Sequence, residues 1–137
     1  MTVFDLQIEP ASSNMISVSE FIEKSLLSEQ VPVKIIQKIL ICADEIYTNI
    51  VQYADAKMTE IHCMVANTLV TVEFADDGKP YNPLENPDPD ITLSAEARRI
   101  GGYGIHIVKK LMDQVDYRYT DGKNILSFRI SVPAAQV

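Results

Sequence analysis

PVKIIQKILICADEIYTNIVQYA, residues Pro32 to Ala54, is the stretch on which the reading of this chain turns. Apolar residues recur at Ile35, Ile36, Ile39, Leu40, Ala43, Ile46, Tyr47, Ile50 and Val51. This spacing predicts an amphipathic helix with a broad apolar stripe. A proline is tolerated at its start, where the first turn lacks amide partners anyway. Glu45 and Asn49 border the stripe. Four residues apart, they stand one above the other on one face. A carboxylate and a carboxamide held this way beside a core could serve a metal ion and a water. The same pair also suits a solvated surface helix, so the surrounding chain has to decide.

Upstream, Val3–Glu9 alternates apolar and polar residues, the pattern of a half-buried strand, and Pro10 ends it. Ser12, Ser13 and Asn14 offer N-caps for a helix through about Ser28, with Met15, Val18, Phe21, Ile22 and Leu26 on one side. Downstream, Thr59–Ala66 and Leu69–Ala75 read as strands, and the short Asn67-Thr68 link predicts a hairpin. The sequence Asp76-Asp77-Gly78-Lys79-Pro80 leaves the second of them. Residues 81–101, rich in Pro, Asn and Asp, have no strong period and read as a lid. Gly101-Gly102-Tyr103-Gly104 opens a further helix, IHIVKKLMDQV, with Ile105, Val108, Leu111 and Met112 on its apolar face. Asp116–Thr120 and Ile125–Val132 are strands joined through Asp121-Gly122, a strong hairpin signal. Helices do not alternate with single strands, which argues against a doubly wound sheet. The expected fold class is α+β: a two-layer sandwich with a mixed, mostly antiparallel sheet covered on one face by about three helices. The expectation is one domain over residues 1–137, with its lid at about 81–101.

The 137 residues are 47% hydrophobic, enough to bury a core, and carry a formal net charge of -7. That charge argues against binding nucleic acid through a basic surface. It leaves room for a nucleotide, which needs only local positive potential. No apolar run approaches a membrane span, and the start lacks the order of a signal peptide, so a cytoplasmic protein is expected. Cys42 and Cys63 have no metal-ligand spacing and read as reduced core residues. His62 and His106 read as ordinary structural or surface residues. There is no P-loop and no kinase H-R-D or D-F-G pattern.

Three separated pieces can serve one ligand. A helix N-terminus opened by Gly102-Tyr103-Gly104 exposes unpaired amides and the positive end of a dipole, which suits phosphate. Asp76 is acceptor-only when ionised and could take a hydrogen bond from a base amine, with Gly78 turning the chain beneath the ring; Asp-Gly is equally ordinary turn chemistry. The Asn49 side-chain oxygen suits Mg²⁺ when phosphates and waters complete its shell. Glu45 could accept a proton from an attacking hydroxyl or water.

In this order and spacing, the chain resembles the GHKL ATP-binding superfamily, which includes histidine-kinase catalytic domains, DNA gyrase and MutL. Within it, the chain is similar to the stand-alone anti-sigma-factor serine/threonine kinases of bacteria. The resemblance rests on DEIYTNIVQYA (Asp44–Ala54), DDGKPYNP (Asp76–Pro83) and GGYGIHIVKKLMDQVDY (Gly101–Tyr117). It implies a Bergerat ATP-binding fold. It also implies that Glu45 acts as general base, Asn49 holds Mg²⁺, Asp76 contacts the adenine amine above Gly78, and Gly102, Tyr103 and Gly104 flank the phosphates. Arg98 and Arg99 would reach the terminal phosphate, unless they are simply a solvated basic pair. Pro80 stands where the superfamily has a second glycine, which stiffens the loop. The implied activity is Mg-ATP-dependent phosphorylation of a serine or threonine on an anti-anti-sigma STAS-domain partner. The implied partners are that protein and a sigma factor, and the resemblance allows a homodimer. Two other readings stay open: a nucleotide-binding partner switch without phosphoryl transfer, and a detached histidine-kinase ATPase domain.

Overall fold

Among the described residues, alternation and periodicity resolve into β1 (Thr2–Ile8), α1 (Met15–Ser28), α2 (Val33–Asn49), β2 (Thr59–Ala66), β3 (Leu69–Asp76), α3 (Tyr103–Leu111), β4 (Gln114–Thr120) and β5 (Lys123–Ser131). The computed structural model describes residues 1–85 and 103–133, with the backbone alone at Tyr103. Most of the expected lid, together with Arg98, Arg99 and Gly102, lies outside the described residues.

The sheet runs β1-β2-β3-β5-β4, and all four pairings are antiparallel. The class is α+β as expected, but the sheet is not mixed. The reason is topological. Two helices lie between β1 and β2, so the chain reverses three times and returns antiparallel. Strands β3 and β4 do run the same way, but β5 lies between them.

One face of the sheet is apolar and carries the helices. Ile61 and Cys63 of β2, Val72 and Phe74 of β3, and Phe128 of β5 are all at most 1% exposed, and they meet Val18, Ile22, Ile39, Ile46 and Val108 of the helices. Phe74 and Phe128 stack with ring centroids 6.4 Å apart. The other face is polar, as the alternation requires. There His62 Nδ1 meets Asp5 Oδ1 across β1 and β2 at 2.5 Å, Lys123 meets Glu60 at 3.0 Å, and Arg129 meets Asp116 at 2.7 Å. Partly exposed pairs of this kind contribute about 0–1 kcal/mol each, so they select the face more than they hold it. His62 is therefore a surface residue, as expected. Both cysteines are buried and free, and burial pushes each thiol up to about 12, which removes them as nucleophiles.

Helix α2 starts after Pro32, whose carbonyl accepts from Ile35 and Ile36 at 3.0 Å. Beyond Asn49 it widens into a single π-turn over Ile50–Ala54, and Asp55 ends it in the left-handed region at φ 53°. Its Tyr47 is fully buried, and the hydroxyl accepts from the Ala11 amide at 3.0 Å and faces the carbonyls of Glu9 and Ala11. This one side chain pins the crossover from β1 to α1. Tyr47→Phe leaves the Ala11 amide unsatisfied and is expected to cost about 1–3 kcal/mol in urea unfolding.

Two local expectations are corrected. Helix α1 has no side-chain N-cap; a 3-10 turn over Ser12–Asn14 leads into it, and Asn14 Nδ2 donates back to Glu9 O at 2.8 Å. Helix α3 stops at Leu111 rather than running through Val115, because the Asp113 amide donates to Arg129 O at 2.9 Å and Asp113 Oδ2 accepts from the Ser131 amide at 2.7 Å. The β4–β5 hairpin turns on two residues only, Asp121 at φ 53° and Gly122 at φ 75°, both left-handed as a tight hairpin with this twist requires.

Candidate active site

Alternation along β3 puts Val72, Phe74 and Asp76 on the helix face, so the last of them ends the apolar row with a carboxylate. Asp76 is 4% exposed. It lines a cleft together with Ile46, Asn49, Ile50 and Ala54 of the α2 segment, Tyr81 and Pro83 of the following loop, and Tyr117, Asn124 and Leu126 of the far strands. Asn49 and Asp76, 27 positions apart in the numbering, therefore open onto one cleft. Of all the buried polar side-chain atoms described, only Asn49 Nδ2 and Thr59 Oγ1 lack a hydrogen-bond partner. Thr59 lies opposite Asp76 in the β2–β3 register.

Burial raises the Asp76 pKa. Bonds from Asn124 and Gly78 lower it, and neighbouring Asp77 raises it. Both bonds end on one oxygen: Asp76 Oδ1 accepts from Gly78 N at 2.9 Å and from Asn124 Nδ2 at 3.0 Å. Asp77 faces elsewhere. Its Oδ1 accepts from the amides of Lys57 at 2.7 Å and Met58 at 3.1 Å, bonds that lower its pKa.

Gly78 has a role the sequence did not reveal. It is needed because the loop presses on the π-turn, where Lys79 N donates to Ala54 O at 2.9 Å. A Cβ at Gly78 would stand 2.1 Å from that carbonyl oxygen. Gly78→Ala must force the loop and the π-turn away from each other at the cleft floor. It is expected to cost about 1–3 kcal/mol in denaturant unfolding, because neither segment has a flexible end to move.

One turn before Asn49, Glu45 reaches α3. A Cβ at Gly104 would lie 2.0 Å from Glu45 Oε2, so glycine is what admits the carboxylate to the start of that helix. The Glu45 pKa is raised by burial first and by Asp44 second. Helix α2 thus links two neighbourhoods, Asp76 with Asn49 in the cleft and Glu45 with Gly104 beside it. Among the described residues no three His, Cys, Asp or Glu side chains converge as a metal cage. One orphaned carboxamide and one carboxylate instead fit a cation that takes most of its shell from phosphate and water, as Mg²⁺ does.

Three lining residues were missed from the sequence: Asn124, Tyr81 and Tyr117. Tyr81 packs on Tyr53 of the π-turn with ring centroids 5.6 Å apart, forming the rim of the cleft. The one available signal was in the β5 alternation, where Asn124 occupies the helix-facing register of Leu126 and Phe128.

Comparison with known proteins gives a consistent result. Residues 8–130 match the family model for the histidine kinase-like ATPase domain. The serine/threonine-protein kinase BtrW of Bordetella bronchiseptica is 31% identical over 91 residues, 64% of this chain and 64% of that protein. The chain thus spans somewhat under two thirds of that relative's length. The crystal structure of the RsbU and RsbW domains of Rv1364c from Mycobacterium tuberculosis superposes with a TM-score of 0.68 at 14% identity, over 100% of this chain and 35% of that one. The Acinetobacter baumannii histidine kinase AdeS superposes with a TM-score of 0.53 at 14% identity, over 96% of this chain and 69% of that one. At such identities the two structures speak for the fold. No helix among the described residues is long and apolar enough to cross a membrane.

Proposed function

The chain belongs to the histidine kinase-like ATPase family, and from that premise we propose that it binds Mg-ATP and phosphorylates a serine or threonine of an anti-anti-sigma STAS-domain partner, which it exchanges for a sigma factor. The observation that carries this reading is the shared cleft. Among the described residues, Asn49, with its amide nitrogen unpartnered, and Asp76, with both of its bonds on Oδ1, line the same space. Likeness to a protein named as a serine/threonine kinase supports the choice of reaction class.

Bound Mg-ATP would supply the transferable phosphoryl group. The chain's own residues would do the rest. Asp76 would accept from the amine of the base, and Tyr81 and Tyr117 would wall the ring. Asn49 can turn its amide oxygen to the cation by a half-rotation. Glu45, held against Gly104, would take the proton from the acceptor hydroxyl as that oxygen attacks. Gly102, Arg98 and Arg99 are proposed to meet the phosphates, as the resemblance implies.

Two measurements test the reading. Mg-ATP should raise the melting temperature as its concentration passes the dissociation constant. Radiolabelled ATP should then label a STAS-domain protein encoded beside this one. Absence of any thermal shift sinks the nucleotide site. A shift without labelling of any neighbouring STAS protein reduces the activity to nucleotide-dependent partner exchange.

A further inference from the structure

We propose that Asn124 sets the base specificity of the cleft, holding Asp76 as a hydrogen-bond acceptor so that the site takes a 6-aminopurine and refuses a 6-oxopurine. The inference rests on the nucleotide-binding reading above and adds to it the residue that chooses the base.

Asn124 lies directly opposite Asp76 in the β3–β5 register, and each is 4% exposed. Its amide nitrogen donates to Asp76 Oδ1 at 3.0 Å and to Lys79 O at 2.8 Å. Its amide oxygen accepts from the Tyr81 backbone N–H at 2.9 Å and from the Tyr117 hydroxyl. A carboxamide has two donor hydrogens and two lone pairs, so every position is used. The backbone partners also fix which end faces which way: only the oxygen can accept from Tyr81 N, and only the nitrogen can donate to Lys79 O. Asn124 therefore has nothing left for a ligand and acts through Asp76. It is a positioning residue.

Its effect on Asp76 is chemical as well as steric. Two donors, Gly78 N and Asn124 Nδ2, converge on Oδ1, so that oxygen can carry no proton. Only Oδ2 could be protonated. Ionised, Oδ2 accepts from the amine of adenine; protonated, it would donate to the carbonyl of hypoxanthine or guanine. Burial favours the protonated form, and the two donors oppose it. Among the described residues, the other charged and titratable groups around Asp76 are few, Tyr81 of the following loop being one. Asp77 on the same loop favours the proton, and Tyr117 on β4 is tied to Asn124. Lys123 of β5 and Glu60 of β2 lie on the opposite face of the sheet and pair with each other at 3.0 Å. From α2 the cleft receives the neutral Asn49. Asn124 is thus the side chain, among those described, that favours the charged form of this buried carboxylate.

The test uses the near-isosteric pair Asn124→Thr and Asn124→Val. Both lose the bonds to Lys79 and Tyr81, but only the Thr hydroxyl can still donate to Asp76. Affinities for Mg-ATP and Mg-ITP are measured by calorimetry from pH 5.5 to 8.5. Wild type should prefer ATP by about 100-fold or more at pH 7, because a 6-oxo group leaves the carboxylate facing another acceptor. In the Val variant that ratio should fall by about 10-fold or more, and ATP affinity should decline at a higher pH than in wild type, as Asp76 gains its proton more easily. The Thr variant should recover most of the ratio. Equal ratios and equal pH profiles in the two variants overturn the proposal while leaving ATP binding intact. A wild type that binds ITP as tightly as ATP overturns it without any variant. A wild type that binds neither nucleotide overturns this inference and the nucleotide-binding reading together.

Discussion

Replacing Glu45 with Gln is expected to leave ATP affinity within a few-fold of wild type and to slow phosphoryl transfer by about 10²–10⁴-fold, the usual contribution of a positioned base. The expectation comes from where the carboxylate sits. Glu45 is outside the cleft that Asp76 and Asn49 share, against Gly104 at the head of α3. Gln keeps the shape and the contact but cannot take a proton. The pH profile adds a second reading. A base works only when ionised, and burial, then Asp44, raises the Glu45 pKa above 4.5. Transfer should therefore fall on acidification along a limb lying above 4.5, and Asp44→Asn should move that limb down. Single-turnover labelling of the STAS partner measures both. A Gln variant that transfers at the wild-type rate would remove Glu45 from the chemistry.

Asp76→Asn should have the opposite profile, with binding lost and folding kept. The new amide can still offer an oxygen to Gly78 N and Asn124 Nδ2, but its nitrogen then points where Oδ2 met the base. Two donors face each other across the contact, and ATP affinity should drop about 10²–10³-fold. Stability should hold or rise. Burial raises the pKa of Asp76, so the folded protein binds that proton more tightly than the unfolded chain does. For a group shifted upward, stability is fully present below its unfolded pKa and is lost as pH rises through the folded value. At neutral pH the empty cleft thus carries a destabilising charge that Asn removes. Calorimetry and urea unfolding of the same variant separate the two effects. ATP binding within threefold of wild type would end the assignment of Asp76 to the base.

Much of this was legible in the chain. The period of residues 32–54 marked α2 and put Glu45 and Asn49 on one face, because helical geometry is local. Asp76 stood out as a carboxylate leaving a strand just ahead of Gly78. Asp121-Gly122 marked its turn because only a few residues accept two left-handed conformations in succession. What stayed hidden depends on register between distant segments. Asn124 looks like any polar residue entering a strand until β5 is laid beside β3. The acid beside His62 that matters most is Asp5, 57 residues earlier. Gly78 suggested a turn, while its actual constraint is the Ala54 carbonyl, brought close by a π-turn with no clear sequence mark. The missing N-cap of α1 shows that capping residues predict a helix start better than they predict the bond that makes it.

The position of β5, made after β4 yet inserted between β3 and β4, has a consequence for synthesis. While a ribosome is still making β5, β3 has β2 on one side and, among the described residues, no strand on the other. Its open edge leaves the main-chain groups of Leu69–Asp76 that face β5 unpaired, the kind of bare border that recruits other chains. Closing that gap waits for β5, and the same pairing brings Asn124 to Asp76. The paired Asp76 and Asn124 therefore exist as a unit only once β5 is in place.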